Sequence, residues 1–164
     1  MQQVKKTPPI LLLRLIKKIK NRIKSDPVML RVFAEYDIDI NEIDYIPTYF
    51  ADLDVSAKTD HGIVYLNYKL LQDDFDNMDV SYFVHEYSHW LQQTTGDKPT
   101  KSSDDGDYLQ NPYEQEGFQN QVEYIAEQFG KDEAEEYVDH LLDHHDVNDK
   151  EDKEELEDVL MEKV

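Results

Sequence analysis

The chain has 164 residues, no cysteine and a formal net charge of −20 at pH 7. That length fits one domain with a single core, and the missing cysteine excludes disulfides and thiolate metal sites, leaving His, Asp and Glu as the metal donors. The charge is uneven: nine of the seventeen basic residues and only one acid, Asp26, fall in the first 31 positions, and the remainder carries 36 acids against eight basic residues. A body this acidic repels nucleic acid phosphate, whereas the basic N-terminal segment suits phosphate or anionic lipid, or docks on the acidic body.

Residues 1 to 9 read as a disordered start closed by Thr7-Pro8-Pro9. From Ile10 to about Lys24, Leu12, Leu15, Ile16, Ile19 and Ile23 have helical spacing with lysines and arginines between them. Arg14 interrupts the apolar run after four residues and no small-residue cleavage site follows, so neither a signal peptide nor a membrane span is expected. With no cysteine either, a cytoplasmic location is the expectation. The segment 1 to 24 is read as a basic amphipathic helix ahead of a single domain from 25 to 164. Asp26-Pro27 has the form of an N-cap with proline at the first helical position, opening a helix to about Tyr36.

Between Ile43 and Asn67 the period changes. Tyr45, Ile46, Tyr49, Phe50 and Val55 form one run and Ile63-Val64-Tyr65-Leu66 another, with Thr59-Asp60-His61-Gly62 read as the turn between them, giving a hairpin or two neighbouring strands.

A helix from about Asp79 to about Thr94 follows, with Asp76, Asn77 and Asp79 as capping candidates and Gly96 as its stop. Val80, Phe83, Val84, Tyr87 and Leu91 form its apolar stripe. It contains His85-Glu86-Tyr87-Ser88-His89. Residues four apart on a helix lie one turn above each other, so His85 and His89 present two imidazoles to one metal ion, and Glu86 is placed to act on a water there without being a ligand. A catalytic zinc normally takes three protein ligands and leaves the fourth position for water.

The polar stretch from Gly96 to Asn111 reads as a loop; its acidic cluster, Asp104, Asp105 and Asp107, lacks the ordered spacing of a calcium loop. Tyr108 and, just beyond, Tyr113 are phenols that could donate to a developing oxyanion. Pro112 then opens a helix to about Phe129, on which Glu114, Phe118, Val122, Ile125 and Phe129 share the inward face. An inward carboxylate needs a cation, which makes Glu114 the third-ligand candidate and leaves Glu116, which points elsewhere, as the alternative. Complementing the helix dipole is the other use for Glu114.

HEYSH, followed 25 residues after His89 by a glutamate opening a second helix, resembles the gluzincin metallopeptidases. The longer run HEYSHWLQQ with NPYEQEGF is similar to their small bacterial and phage-borne relatives. The resemblance spans about Ile46 to Phe129. It implies an α+β, zincin-like fold, a small β-sheet packed with helices. It also implies zinc held by His85, His89 and Glu114 and Glu86 as general base in peptide hydrolysis, with a peptide or protein as substrate. In that family a strand ahead of the zinc helix borders the cleft and pairs with extended substrate, which points to Ile63 to Tyr68. One departure stands out: many gluzincins carry Asp or Asn four residues after the ligand glutamate, where this chain has Phe118. Asn120 lies four after Glu116, which keeps that ligand open.

The rest reads as acidic helices, Ala134 to about His144 and Lys150 to Lys163, with His140, Asp143, His144, His145 and Asp146 as a solvated helix end rather than a second metal site, or as the source of one cleft hydrogen bond. The competing functional class is a non-catalytic acidic binding protein in which the zinc site is structural or a relic. Two histidines and one glutamate argue against it, because structural zinc is usually closed by four ligands.

Overall fold

A computed structural model describes residues 9–71, 77–96 and 108–164. The expected roles of Thr7-Pro8, of Asp76 and of the acidic loop cluster at Asp104, Asp105 and Asp107 lie outside these residues. Among the described residues, six α-helices and three short strands make a mostly helical α+β fold: α1 Pro9–Lys24, α2 Pro27–Glu35, β1 Thr48–Ala51, β2 Ala57–Asp60, β3 Ile63–Asn67, α3 Asn77–Thr94, α4 Pro112–Phe129, α5 Lys131–His144 and α6 Lys150–Leu160.

Helices α2, α4 and α6 begin where side chains satisfy the first free backbone N–H groups, whereas α5 follows Gly130 without a side-chain cap. Asp26 accepts from Val28 N and Met29 N ahead of Pro27, Asn111 accepts from Tyr113 N ahead of Pro112, and Asp149 accepts from Glu151 N and Asp152 N. On α3 the apolar stripe packs inward as its spacing predicts, with Val80, Phe83, Val84, Tyr87 and Leu91 all buried. They join Ile16, Ile19 and Ile23 of α1, the buried face of α2, and Val64 and Leu66 of β3 in one cluster. A second cluster gathers Phe118, Val122 and Ile125 of α4 with Ala134, Val138 and Leu142 of α5 and Leu156 and Leu160 of α6. Helix α4 is therefore shared, with Tyr124 facing the first cluster and Phe118 the second. Phe129 departs from the expected inward face and is 41 % exposed, because the helix ends there and Gly130 turns the chain at φ 100°.

The sheet differs from the expected pair of strands. Ile40–Tyr45 is a 3-10 turn, and the first apolar run contributes only β1. Thr59 and Asp60, expected in a turn, belong to β2, and the turn is the two residues His61 and Gly62 with φ of 51° and 77°. Two successive left-handed residues have the twist that closes a tight hairpin, and β2 pairs antiparallel with β3. Strand β1 pairs with β3 in parallel, giving the order β1-β3-β2. Strand β3, expected to offer an edge to substrate, is thus hydrogen-bonded on both sides. The edge beside α3 belongs to β2, whose Thr59 donates to the Glu86 carbonyl at 3.0 Å.

Candidate metal centre

Helices α3 and α4 meet through polar residues. Ser81, His85, Ser88, His89 and Gln92 on α3, and Glu114, Asn120 and Gln121 on α4, are all buried. Ser81 faces Gln121 near the start of α3, and Gln92 faces Tyr113 near its end, so the two helices run in opposite directions. Between them lies Gly117, where a Cβ would stand 3.0 Å from Cε1 and 3.1 Å from Nε2 of His85. The glycine lets α4 approach the imidazole directly.

This approach brings the three candidate ligands together. Glu114 Oε1 lies 2.5 Å from His89 Nε2 and 3.4 Å from His85 Nε2, and the two Nε2 atoms are 3.1 Å apart. One ligand atom from each residue fits within a span of 4.8 Å, and no other group of three potential metal ligands meets that standard among the described residues. Buried His85, His89 and Glu114 lie close enough to hold a metal ion.

The surrounding hydrogen bonds determine which nitrogens face inward. Ser81 Oγ donates to the Met78 carbonyl, so its lone pair accepts from Gln121 Nε2 at 3.1 Å, which turns Gln121 Oε1 toward His85 Nδ1, also at 3.1 Å. Likewise Gln92 Nε2 donates to the Tyr113 carbonyl at 3.1 Å and turns its Oε1 to His89 Nδ1 at 2.8 Å. An amide oxygen can only accept, so both histidines carry their proton on Nδ1 and aim an Nε2 lone pair at the centre. Two lone pairs and a carboxylate oxygen then converge in a buried space. Such a set is repulsive without a cation and suits a divalent metal that takes nitrogen and oxygen donors.

Burial by itself raises the pKa of Glu114; positive charge and N–H donation from the His85 and His89 side would outweigh it and hold the carboxyl well below the usual carboxylate range, and with both Nε2 atoms unprotonated that charge would have to come from a bound cation. The Tyr108 phenol hydrogen-bonds Glu114; burial, then the charges of Glu114 and Glu86, push its pKa far up and keep it a donor. Tyr113 contributes its backbone carbonyl to Gln92. Glu86 is 6 % exposed, and its Oε1 and its backbone carbonyl, each 3.0 Å from Thr59 Oγ1, share the one hydroxyl proton, so β2 fixes the residue between the two motif histidines. Tyr137 on α5 feels the charge of Glu86 and hydrogen-bonds Gln121.

Glu116 lies elsewhere, accepting a hydrogen bond from Tyr36. Asn120 binds Ser88 Oγ at 2.9 Å and accepts from Lys163 at 2.7 Å, so it supports neither histidine. Phe118 packs edge-on against His85, with ring centroids 4.4 Å apart. The supporting groups are Gln121 and Gln92, which the motif alone does not reveal; the signal on α3 is the three- and four-residue spacing of Ser81, His85, Ser88 and Gln92, which puts these polar side chains on one face. At the histidine-rich end of α5, His140, His144 and His145 are all exposed, and the His145 ring also stacks on Tyr108 at 5.1 Å between centroids. Tyr108 and His145 line a cavity of about 400 Å³ with Asp149 and Leu156. No described helix is long and apolar enough to cross a membrane.

The chain matches no protein-family model, and no curated protein or solved structure is similar enough to count as a relative.

Proposed function

We propose that the protein is a zinc-dependent metallopeptidase of zincin-like fold, with His85, His89 and Glu114 as ligands and Glu86 as general base. The observation that carries this reading is the convergence of the three ligand atoms within 4.8 Å beside a buried glutamate in the adjoining helix position. Three ligands of this kind leave a coordination position for water, as hydrolytic sites do and structural zinc sites do not. Bound there, zinc would supply Lewis acidity for the scissile carbonyl and lower the pKa of a water toward neutrality.

The chain's own residues then divide the remaining work. Glu86 accepts the proton from the attacking water and returns it to the leaving amine, with the Thr59 hydroxyl fixing its orientation. Tyr108, kept protonated and hydrogen-bonded to Glu114, would have to turn its proton from that carboxylate to donate toward a developing oxyanion. Extended substrate would pair with β2, at the positions not already used by the Gln93 side chain, which donates to the Thr59 carbonyl at 3.2 Å. The resemblance of HEYSHWLQQ and NPYEQEGF to the gluzincins points the same way.

The test is cleavage of an unstructured peptide library by zinc-loaded protein, read by mass spectrometry, with Glu86→Gln alongside. Discrete cleavage by wild type that falls at least about 100-fold in Glu86→Gln, at equal metal content, is the expected result. Zinc bound without cleavage by the wild type would overturn the peptidase reading and favour a non-catalytic metal protein.

A further inference from the structure

Helix α1 carries chemistry unlike the rest of the molecule. Its sixteen residues, PILLLRLIKKIKNRIK, contain no carboxylate, in a chain with a formal charge of −20. Its second half is docked: Ile16, Ile19 and Ile23 are buried, Lys20 Nζ donates to the Ile46 carbonyl at 2.6 Å, and Lys24 pairs with Asp44 at 2.8 Å. The first half is docked only through Leu12 and Leu15, which are half-buried against the core. Ile10, Leu11 and Leu13 are 59, 47 and 62 % exposed, although a fold hides aliphatic side chains wherever it can.

These aliphatic residues share one side of the helix with cations. At about 100° per residue, Ile10, Leu11, Leu13, Arg14, Lys17 and Lys18 fall in one arc, opposite the buried Ile16, Ile19 and Ile23. All six are exposed, and Arg14, Lys17 and Lys18 pair with no carboxylate among the described residues. Along the arc the order is aliphatic first and cationic next, about a turn apart. An anionic bilayer surface has the same layering, acyl chains beneath a plane of phosphates, within a depth on the order of 5–10 Å. A nucleic acid backbone would use the cations and leave the aliphatic tip in water.

We propose that the first half of α1 docks on an anionic lipid surface, with Ile10, Leu11 and Leu13 in the acyl boundary and Arg14, Lys17 and Lys18 at the phosphates. The acidic remainder of the chain is repelled by the same surface. That repulsion orients the protein with α1 leading and keeps the attachment reversible, since three aliphatic side chains are a small anchor. The metal centre plays no part in this inference.

Co-sedimentation of the full chain with vesicles tests it, using phosphatidylcholine alone and phosphatidylcholine with about one third phosphatidylserine. Binding to the anionic vesicles only, weakened by 0.5 M salt as charge screening requires at roughly 4 Å Debye length, is expected. Each cation is worth about fivefold, so Lys17→Glu/Lys18→Glu should lose well over tenfold. Ile10→Ser/Leu13→Ser should lose roughly tenfold with an unchanged thermal melt, because both positions are exposed. Absence of binding by the wild type overturns the proposal. So does binding indifferent to Ile10→Ser/Leu13→Ser and matched by duplex DNA, which would mark a general polyanion site. A dimer in sedimentation velocity that Leu13→Ser dissolves would instead assign the face to a second copy of this chain.

Discussion

Gly117 carries no side chain, and the approach of α4 to His85 depends on that. A methyl there would meet three ring atoms of His85 at 3.0 to 3.2 Å, and the ring is held by Gln121 on one nitrogen and by the Phe118 edge. Gly117→Ala gains about 1 kcal/mol of helix propensity but overpacks the interface at a cost of about 1–3 kcal/mol. The expected outcome is a lower melting temperature together with reduced zinc retention in dialysis, since the ring must move from its ligand position. Gln121→Leu removes the acceptor on His85 Nδ1 and the donor to Ser81, and should weaken zinc binding by about 10–100-fold in a chelator competition. The candidate ligands His85 and His89 were legible because a four-residue spacing on a helix puts both side chains on one face. Their supports were not: Phe118 occupies the place where a carboxylate or amide was expected, and a glutamine one turn further along reaches His85 instead.

Helix starts were legible because Asp26-Pro27 and Asn111-Pro112 combine a local cap with a proline that fixes φ. The sheet was not, because strands of four and five residues have little periodicity, and parallel pairing of β1 with β3 leaves no mark in neighbouring residues. The candidate site depends on both kinds of element, since β2 holds Glu86 while α3 and α4 carry the candidate ligands. The junction of α2 with α4 gives a prediction of its own. Asp26, the cap of α2, hydrogen-bonds Glu127 of α4, and burial, that bond and the charges of Asp26 and Glu123 push the Glu127 pKa from 4.5 to about 7. An acid with a raised folded-state pKa binds its proton more tightly in the folded protein. Its stabilising contribution is therefore complete below pH 4.5 and lost as pH rises through about 7. Melting temperatures of wild type should fall between pH 5 and pH 8 more than those of Glu127→Gln, and parallel curves would contradict the pairing.

At the scale of the molecule, the candidate ligands join two helices that also belong to different apolar clusters, one under the sheet and one around α5 and α6. A metal that binds the folded chain and not the unfolded one stabilises it by mass action, about 2.7 kcal/mol at a hundredfold excess over Kd. For a chain of this size that is a rise of roughly 5–10 °C in melting temperature, reversed by a chelator. The same elements explain the uneven charge, with Lys20 and Lys24 of α1 spent on docking and Arg14, Lys17 and Lys18 facing outward.

The most direct measurement is the metal content of purified protein by elemental analysis, for wild type, Glu86→Gln, His89→Ala, Glu114→Ala and Glu116→Ala after incubation with zinc and exhaustive dialysis. An open site of three ligands predicts about one zinc per chain in wild type, Glu86→Gln and Glu116→Ala, with little in His89→Ala and Glu114→Ala. A wild type that retains no zinc, or a Glu114→Ala variant that keeps it while Glu116→Ala loses it, would contradict the account.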